Sequence, residues 1–445
     1  MIRTLFTGLA VGCAFAWSAP AHADIDVQAV TSPGGIEAWL VESHEIPFVA
    51  VEILFRGGAS LDEPDKRGAV NLMTGLLEEG AGDMTAQEFQ IAREGLAAEF
   101  GFRAFDDSIA VSARFLTENR DEAVDLLNLA LADPTFEDDA VERVRAQVLS
   151  NIRASAQDPN DIASATFMEM AFPDHPYGSD HSGTLDSVAA LTRDDLVTAH
   201  ENVLVTGRAH VGVVGDITPE ELGPLLDDLF AGLPAEGPPL PPEVAPAIEG
   251  GVTVVDFPSP QSVALFGHEG IDRDDEDYFA AYILNEILGG SGRQSLLMEE
   301  VREQRGLTYG IGSYLVPKDL ADLYLGSVSS ANATIAEAID VTRDIWRDLA
   351  ENGVSEEDLE SAKVYITGAY PLRFDGNGQI ADILVGMQFT GLPIDYIETR
   401  NDRINAVTLE EINRVAAELL KPEDLHFVVV GQPENLPPAE EAPSQ

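Results

Sequence analysis

Three features of this chain have residue types and spacings that could do chemistry. The first is RGAVNLMTGLLEEGAG, running from Arg67 to Gly82. Ala69, Leu72, Met73, Leu76 and Leu77 recur at helical spacing and predict the buried stripe of an amphipathic helix, bracketed by glycines. Its other face offers Asn71, Thr74, Gly75 and Glu78, which is little to ligate or ionise with. The second feature is a histidine pair, His175 and His181, in the polar loop FPDHPYGSDHSG. Two imidazoles there could take up a metal, though loop histidines more often cap turns or meet neighbouring backbone. The third is an arginine seven residues before an aromatic–glycine pair, and it occurs twice. Arg93 precedes Phe100-Gly101, and Arg302 precedes Tyr309-Gly310.

Other routes to catalysis are closed. No HExxH or HxxEH occurs, and no G-x-S-x-G elbow or phosphate-binding glycine loop. Cys13 is the single cysteine and falls in the leader described below, so the mature chain has no disulfide, thiolate ligand or cysteine nucleophile. His210 and His426 begin equivalent strands and read as features of a repeat, while His44 and His268 each stand alone near strand ends. Acidic pairs such as Glu78-Glu79 and Asp138-Asp139 carry no weight as glycosidase carboxylates in so acidic a chain.

The elements that must position these residues come in two copies. The stretch LPAEGPPLPPEVAPAIEGG, from Leu233 to Gly251, is rich in proline and glycine without periodicity and reads as a linker. On either side the pattern repeats. Thr192-Arg-Asp-Asp-Leu196 precedes His210-Val-Gly-Val-Val-Gly215 at the spacing with which Thr408-Leu-Glu-Glu-Ile412 precedes His426-Phe-Val-Val-Val-Gly431. Each reads as a capped helix followed by a buried strand. FEDDAVERVRAQVLSNI (136–152) parallels VSEEDLESAKVYITGAY (354–370) as an acidic-capped helix. Alternating segments at Phe48 to Phe55 and Ser108 to Phe115 predict strands, so each half is an α+β domain. The domains span 24–232 and 252–437, with the linker at 233–251 and a disordered tail at 438–445.

Composition narrows the setting. The N-terminal segment has Arg3, an apolar run from Leu5 to Trp17 and Ala21-His22-Ala23, and so predicts a signal peptide, 1–23, cleaved after Ala23. Acylation of Cys13 as a lipoprotein is disfavoured by the short apolar run before it. No later segment has the length of a membrane span, so the expected location is the periplasm. The formal charge of −52 and pI of about 4.1 exclude phosphate backbones and anionic lipid surfaces as natural partners. Solubility is the plain reading of this acidity; attraction of basic peptides is the sharper one.

The order of segments resembles the M16 peptidase family, which includes insulinase, mitochondrial processing peptidase and shorter bacterial subunits. The resemblance rests on RGAVNLMTGLLEEGAG, FPDHPYG with GTLDSVAALTRDDL, HVGVVGD, and LNEILGGSGRQSLLMEEVREQRGLTYGIGS, in that order and doubled by the internal repeat. It implies two tandem homologous domains, each a mostly antiparallel sheet packed with helices. Zinc-bearing members carry HxxEH on the first helix, with a third ligand, a glutamate, about 76 residues later on another helix. In this chain the ligand and base positions hold Asn71, Thr74, Gly75 and Asn151. Asparagine is a poor zinc ligand, threonine cannot be this base, and glycine has no side chain. The corresponding helix of the second half, DYFAAYILNEILGG (277–290), shows no ligand set either.

The resemblance also gives the Arg302–Tyr309 spacing a meaning. In catalytic assemblies such a pair faces the zinc of the other half, the tyrosine hydroxyl donating to the oxyanion and the arginine holding a substrate carbonyl. The alternative is that arginine and aromatic simply belong to the fold unit, since Arg93 and Phe100 share the spacing. Arg305 and Arg293 are weaker basic candidates, and the LGGSG turn (288–292) is a candidate lining of a peptide chamber. The expected function is therefore a zinc-less subunit that completes the site of a partner carrying HxxEH and zinc, with peptide or unfolded polypeptide as substrate and no cofactor in this chain. A silent peptide-binding or scaffold protein is the second reading, and an independent enzyme with a non-zinc mechanism the third.

Overall fold

A computed structural model of the chain describes residues 25–290 and 295–437. The predicted signal peptide with Cys13, Arg293, the end of the LGGSG turn and the tail from 438 lie outside the described residues.

The first half is built around the strand Phe48–Arg56. Its alternation sends Val49, Val51, Ile53 and Phe55 into one core and leaves Glu52 and Leu54 on the opposite face. It pairs antiparallel with Ser108–Leu116 on one side and Ala209–Gly215 on the other. Glu37–Glu42 runs parallel to Ala209–Gly215, and Gln28–Thr31 and Glu99–Ala104 form the two edges. The second half repeats this plan around Gln261–Glu269. That strand lies between Asp322–Ala331 and His426–Gly431, antiparallel to both. Gly251–Asp256 is parallel to His426–Gly431, and Thr308–Pro317 is the far edge. The sheets have six and five strands because Gln28–Thr31 has no counterpart. Apart from that strand, the α+β repeat expected from the sequence is present.

Capping chemistry fixes the helix starts. Thr192 and Thr408 each close a reciprocal capping box, with Asp195 and Glu411, at the heads of Arg193–Val203 and Leu409–Leu419. Ser355 does the same with Asp358 for Glu356–Ala369, the counterpart of Asp138–Ser155. The first helix is shorter than its periodicity suggests. It runs only Ala69–Thr74, because Gly75 caps it and the chain continues in tight turns in which Leu76 donates to the Met73 carbonyl. Leu76 and Leu77 are buried all the same, so the stripe outlasts the helix.

The halves are not separable bodies. The helix Pro159–Ala171 belongs to the first half in sequence but packs on the second sheet, with Phe167 and Ala171 buried in one cluster with Leu323, Leu325, Val428 and Val430. The helix Asn377–Phe389 returns the exchange, burying Ala381 and Leu384 against Val41, Ala50 and Val214. Gly212 makes this approach possible, since a Cβ there would stand 2.5 Å from the Ala381 carbonyl oxygen. The tips of two equivalent hairpins also meet. Lys318 pairs with Asp106 at 2.6 Å, Arg56 reaches Asp319 at 3.0 Å, and Tyr177 donates to Asp107 while accepting from the Leu320 amide. The stretch from 233 to 250 has no helix or strand, yet it is strapped down: Val244 donates to the Leu320 carbonyl and Ala247 to that of Ala171.

Candidate functional site

Asp62 sets the entry of the first helix. Its carboxylate accepts from the Gly68 and Val70 amides at 2.8 and 2.9 Å, filling the role of a cap from outside the helix. Burial pushes this carboxyl up to about 6, against the pull of those amides and of Arg67. Arg67 is itself buried and donates to the carbonyls of Pro176 and Ser179, which ties the helix to the FPDHPYG loop.

Of the four residues at the positions that the resemblance gives to zinc, Asn71 and Thr74 lie on that helix, Gly75 caps it and Asn151 lies on Asp138–Ser155. Thr74 is buried and spends its hydroxyl on the Val70 carbonyl at 2.7 Å. Gly75 is the exposed cap, Asn71 is half-buried, and the exposed Asn151 accepts from Gln147 at 2.9 Å. Two amides, a committed hydroxyl and a bare backbone do not make a zinc site, because nothing among them is an imidazole or carboxylate. Among the described residues no cluster of three or more His, Cys, Asp or Glu is placed to hold a metal ion.

The histidines have structural work. His175 caps the turn Pro176–Gly178 by accepting from the Tyr177 amide at 3.2 Å, while His181 is half-exposed beside Asp180. His210 packs edge-on against Phe389, and burial followed by the Arg56 charge holds it down at about 4. His426 meets Thr253 and the Glu249 carbonyl, and His44 lies between Asp216 and Glu42. His268 does not stand alone as its sequence position suggests. It is buried against Tyr324 and Trp346 and accepts from the indole N–H at 3.0 Å.

The two arginine–aromatic pairs differ in what holds them. Arg93, on Ala86–Gly95, forms an ion pair with Glu78, and burial raises the Glu78 carboxyl while Arg93 draws it back. Phe100, second residue of its edge strand, packs against the core. In the second half, Ala280 to Leu288 shows the same succession of buried and accessible positions as Ala69 to Leu77. This match sets Asn285 opposite Thr74, Glu286 opposite Gly75 and Gly289 opposite Glu78. Gly289 has no room for a side chain: a Cβ there would stand 2.3 Å from Ser313 Oγ. The helix therefore has no carboxylate at the position where the first half holds Glu78. Arg302 lies in the π-helical turn Met298–Gln304, and its one ionic contact among the described residues is the adjacent, exposed Glu303 at 3.6 Å.

Tyr309 is second in the strand Thr308–Pro317, at a bulge between Thr308 and Ile311. The bulge is pinned by Thr308, whose hydroxyl accepts from the Gly310 amide at 3.0 Å. Tyr309 is 87 % exposed, and its hydroxyl has no hydrogen-bond partner among the described residues. Arg305 is tied to Glu300. Sequence reasoning missed Glu286, a half-buried carboxylate raised by burial. It also missed that Arg302 has no counterpart of Glu78, which needs the two helices laid over one another.

The family model "Insulinase (Peptidase family M16)" matches residues 38–185, and "Peptidase M16 inactive domain" matches residues 190–364. Over 390 residues the chain is 25 % identical to a protein of Helicobacter pylori named non-peptidase homolog YmxG, covering 87 % of this chain and 90 % of that one. Over 396 residues it is 27 % identical to an uncharacterized zinc protease of Mycobacterium leprae, covering 88 % of each. The crystal structure of a peptidase M16 inactive domain from Pseudomonas fluorescens superposes with a TM-score of 0.86 at 27 % identity, covering 94 % of this chain and all of that one. With two models of one family spanning both halves, and that family's fold repeated in each, the chain belongs to the M16 peptidase family.

Proposed function

We propose that this chain is the non-catalytic subunit of a heterodimeric periplasmic zinc peptidase. Its partner is an M16 subunit that carries HxxEH and the zinc; this chain supplies Arg302 and Tyr309 to the partner's site and half of a chamber for peptides. The observation that carries the reading is the asymmetry of the repeat. Arg93 and Phe100 are consumed by the fold, whereas Arg302 lacks the helix carboxylate and Tyr309 holds its hydroxyl out to solvent. A hydroxyl kept at that position and aimed at water gains the fold nothing. Placed 2.7–3.1 Å from a developing oxyanion, one such donor lowers a barrier by ~3 kcal/mol.

The test is reconstitution. Peptidase activity is measured for the zinc-bearing partner alone, for both chains, and for both with Tyr309→Phe. The expected result is strong stimulation by this chain and a loss of ~10²-fold in kcat with the variant. A mixture no more active than the partner alone defeats the reading. Full stimulation by Tyr309→Phe keeps the dimer and removes the hydroxyl's role. The name non-peptidase homolog on the Helicobacter pylori relative supports a second reading, a silent peptide-holding scaffold. That reading predicts peptide binding with no stimulation of any partner.

A further inference from the structure

The segment RDDEDYF, from Arg273 to Phe279, leads into the helix Tyr278–Gly289 and forms one wall of a cleft of about 490 Å³. The turn Gly391–Pro393 and the last turn of the helix Tyr396–Ala406 line its other side. Arg273 and Arg403 bring two guanidiniums to it. Arg273 lies over the Tyr278 ring at 4.3 Å and donates to the Tyr396 hydroxyl at 3.1 Å, which fixes its plane. Arg403 lies 5.9 Å from the centre of the Tyr396 ring. Neither forms an ion pair among the described residues, in a chain with 78 acidic side chains to 26 basic ones. Some of the nearby carboxylates are spent. Asp272 accepts from the Asp274 amide at 2.6 Å, Asp275 from the Asp277 amide at 2.8 Å, and Asp277 pairs with Arg414. Asp274 and Glu276 also line the cleft, are exposed, and have no side-chain partner among the described residues. Phe279, Leu392 and Val407 add an apolar side. Unpaired positive charge, unpaired negative charge and apolar surface thus meet in one cleft, within the volume range of small-molecule sites.

We propose that this cleft binds a free α-amino acid with a large apolar side chain. The carboxylate rests on Arg273 and Arg403, the ammonium on Asp274 and Glu276, and the side chain against Phe279, Leu392 and Val407. The opposed charges select this class of ligand. A simple anion is repelled by Asp274 and Glu276 and a simple cation by the arginines, whereas a zwitterion satisfies both. Arg273 and Asp274 are consecutive, and an α-amino acid carries its two charged groups on a single carbon, so a compact ligand suits them. A guanidinium already held flat by Tyr278 and Tyr396 loses little freedom on taking up a carboxylate. The cleft shares no residue with the Arg302–Tyr309 pair, so this inference does not rest on the function proposed above.

The experiment is calorimetric titration of this chain alone with L-phenylalanine, near neutral pH and at low salt. The companion ligands are N-acetyl-L-phenylalanine, L-phenylalanine amide and the dipeptide phenylalanyl-alanine. The expected result is saturable binding of phenylalanine with Kd below ~0.1 mM, weakened at least ~10-fold by either blocking group. Arg403 and Glu276 are exposed, so Arg403→Gln and Glu276→Gln leave the fold in place, which thermal melts check. Arg403→Gln should weaken phenylalanine at least ~5-fold and leave the amide unchanged. Glu276→Gln should weaken phenylalanine by a similar factor and leave the acetyl derivative unchanged. A merely structural role for these side chains would move every ligand together or none. Absence of saturable binding up to ~10 mM overturns the proposal. So does equal affinity for either blocked derivative, or variants that bind phenylalanine like the parent. Tighter binding of the dipeptide also overturns it, and assigns the cleft to peptides.

Discussion

Replacing Leu384 by alanine tests whether the exchanged helices make one folding unit of the two halves. Leu384 is 0 % exposed and is wedged among Val41, Ala50, Val214 and Ala381. Leucine-to-alanine changes at such sites cost ~2–5 kcal/mol, the larger values where the surroundings cannot collapse. Collapse is blocked here, because the helix already touches the strand backbone at Gly212, where a Cβ would stand 3.2 Å from Leu384 Cβ. The expected loss is therefore ~3–5 kcal/mol, a large share of the ~5–15 kcal/mol that holds a typical native state. The assay is urea unfolding followed by far-ultraviolet dichroism, alongside amide exchange in Ala209–Gly215. That strand lies far from Leu384 in sequence and directly beneath it in space. A single transition should move to lower urea with its slope unchanged, and exchange in Ala209–Gly215 should accelerate by the same free energy. Two separate transitions, of which only the second-half one moves, would refute the reasoning, as would a loss below ~1 kcal/mol.

Arg93→Ala should cost ~1–2 kcal/mol by stranding the half-buried Glu78, while Arg302→Ala should stay within ~0.5 kcal/mol of the parent. Paired thermal melts check this, and equal losses would mean that both arginines serve the fold. Glu52 lies beneath the helix Asn377–Phe389, and burial followed by the Asp382 charge pushes its carboxyl from 4.5 up to about 7. Its contribution is fully present below pH ~4.5 and is lost as pH rises through about 7, since folding disfavours the ionised form. Glu52→Gln should therefore match the parent near pH 4.5 and exceed it by ~1–2 kcal/mol above pH 7, after allowing for screening by water. A stability difference that does not change between those pH values would contradict the assignment.

Much of this fold was legible in the residues. Thr192 with Asp195 and Thr408 with Glu411 announced two helices, and the runs HVGVVG and HFVVVG announced the strands after them. That Asn71, Thr74, Gly75 and Asn151 are chemically poor zinc ligands is a statement about residue type and needs no structure. The exchange of helices could not be read. Ala163, Phe167 and Ala171 make a buried stripe, but periodicity says that a face is covered and not which sheet covers it. The length of the first helix was misjudged for a related reason, since Leu76 and Leu77 are buried by turns as well as by helix. That Arg302 lacks the ion pair of Arg93 follows from Gly289 standing where the first half has Glu78. That pairing becomes visible only when burial brings the two helices into register.

The exchanged helices also impose an order on synthesis. The chain emerges from its N-terminus, so the strands from Gln28 to Gly215 are complete long before Asn377–Phe389 exists to cover their outer face. Until Phe389 has been made, the surface around Val41, Ala50 and Val214 has no lid, and until Val430 has been made the sheet beneath Phe167 and Ala171 is incomplete. A growing chain in that state shows chaperones an apolar face, so truncation anywhere before Phe389 should yield an aggregating fragment instead of a smaller working protein. Fragments divided at the linker should recover the fold only when both are present together, each lending the other a helix.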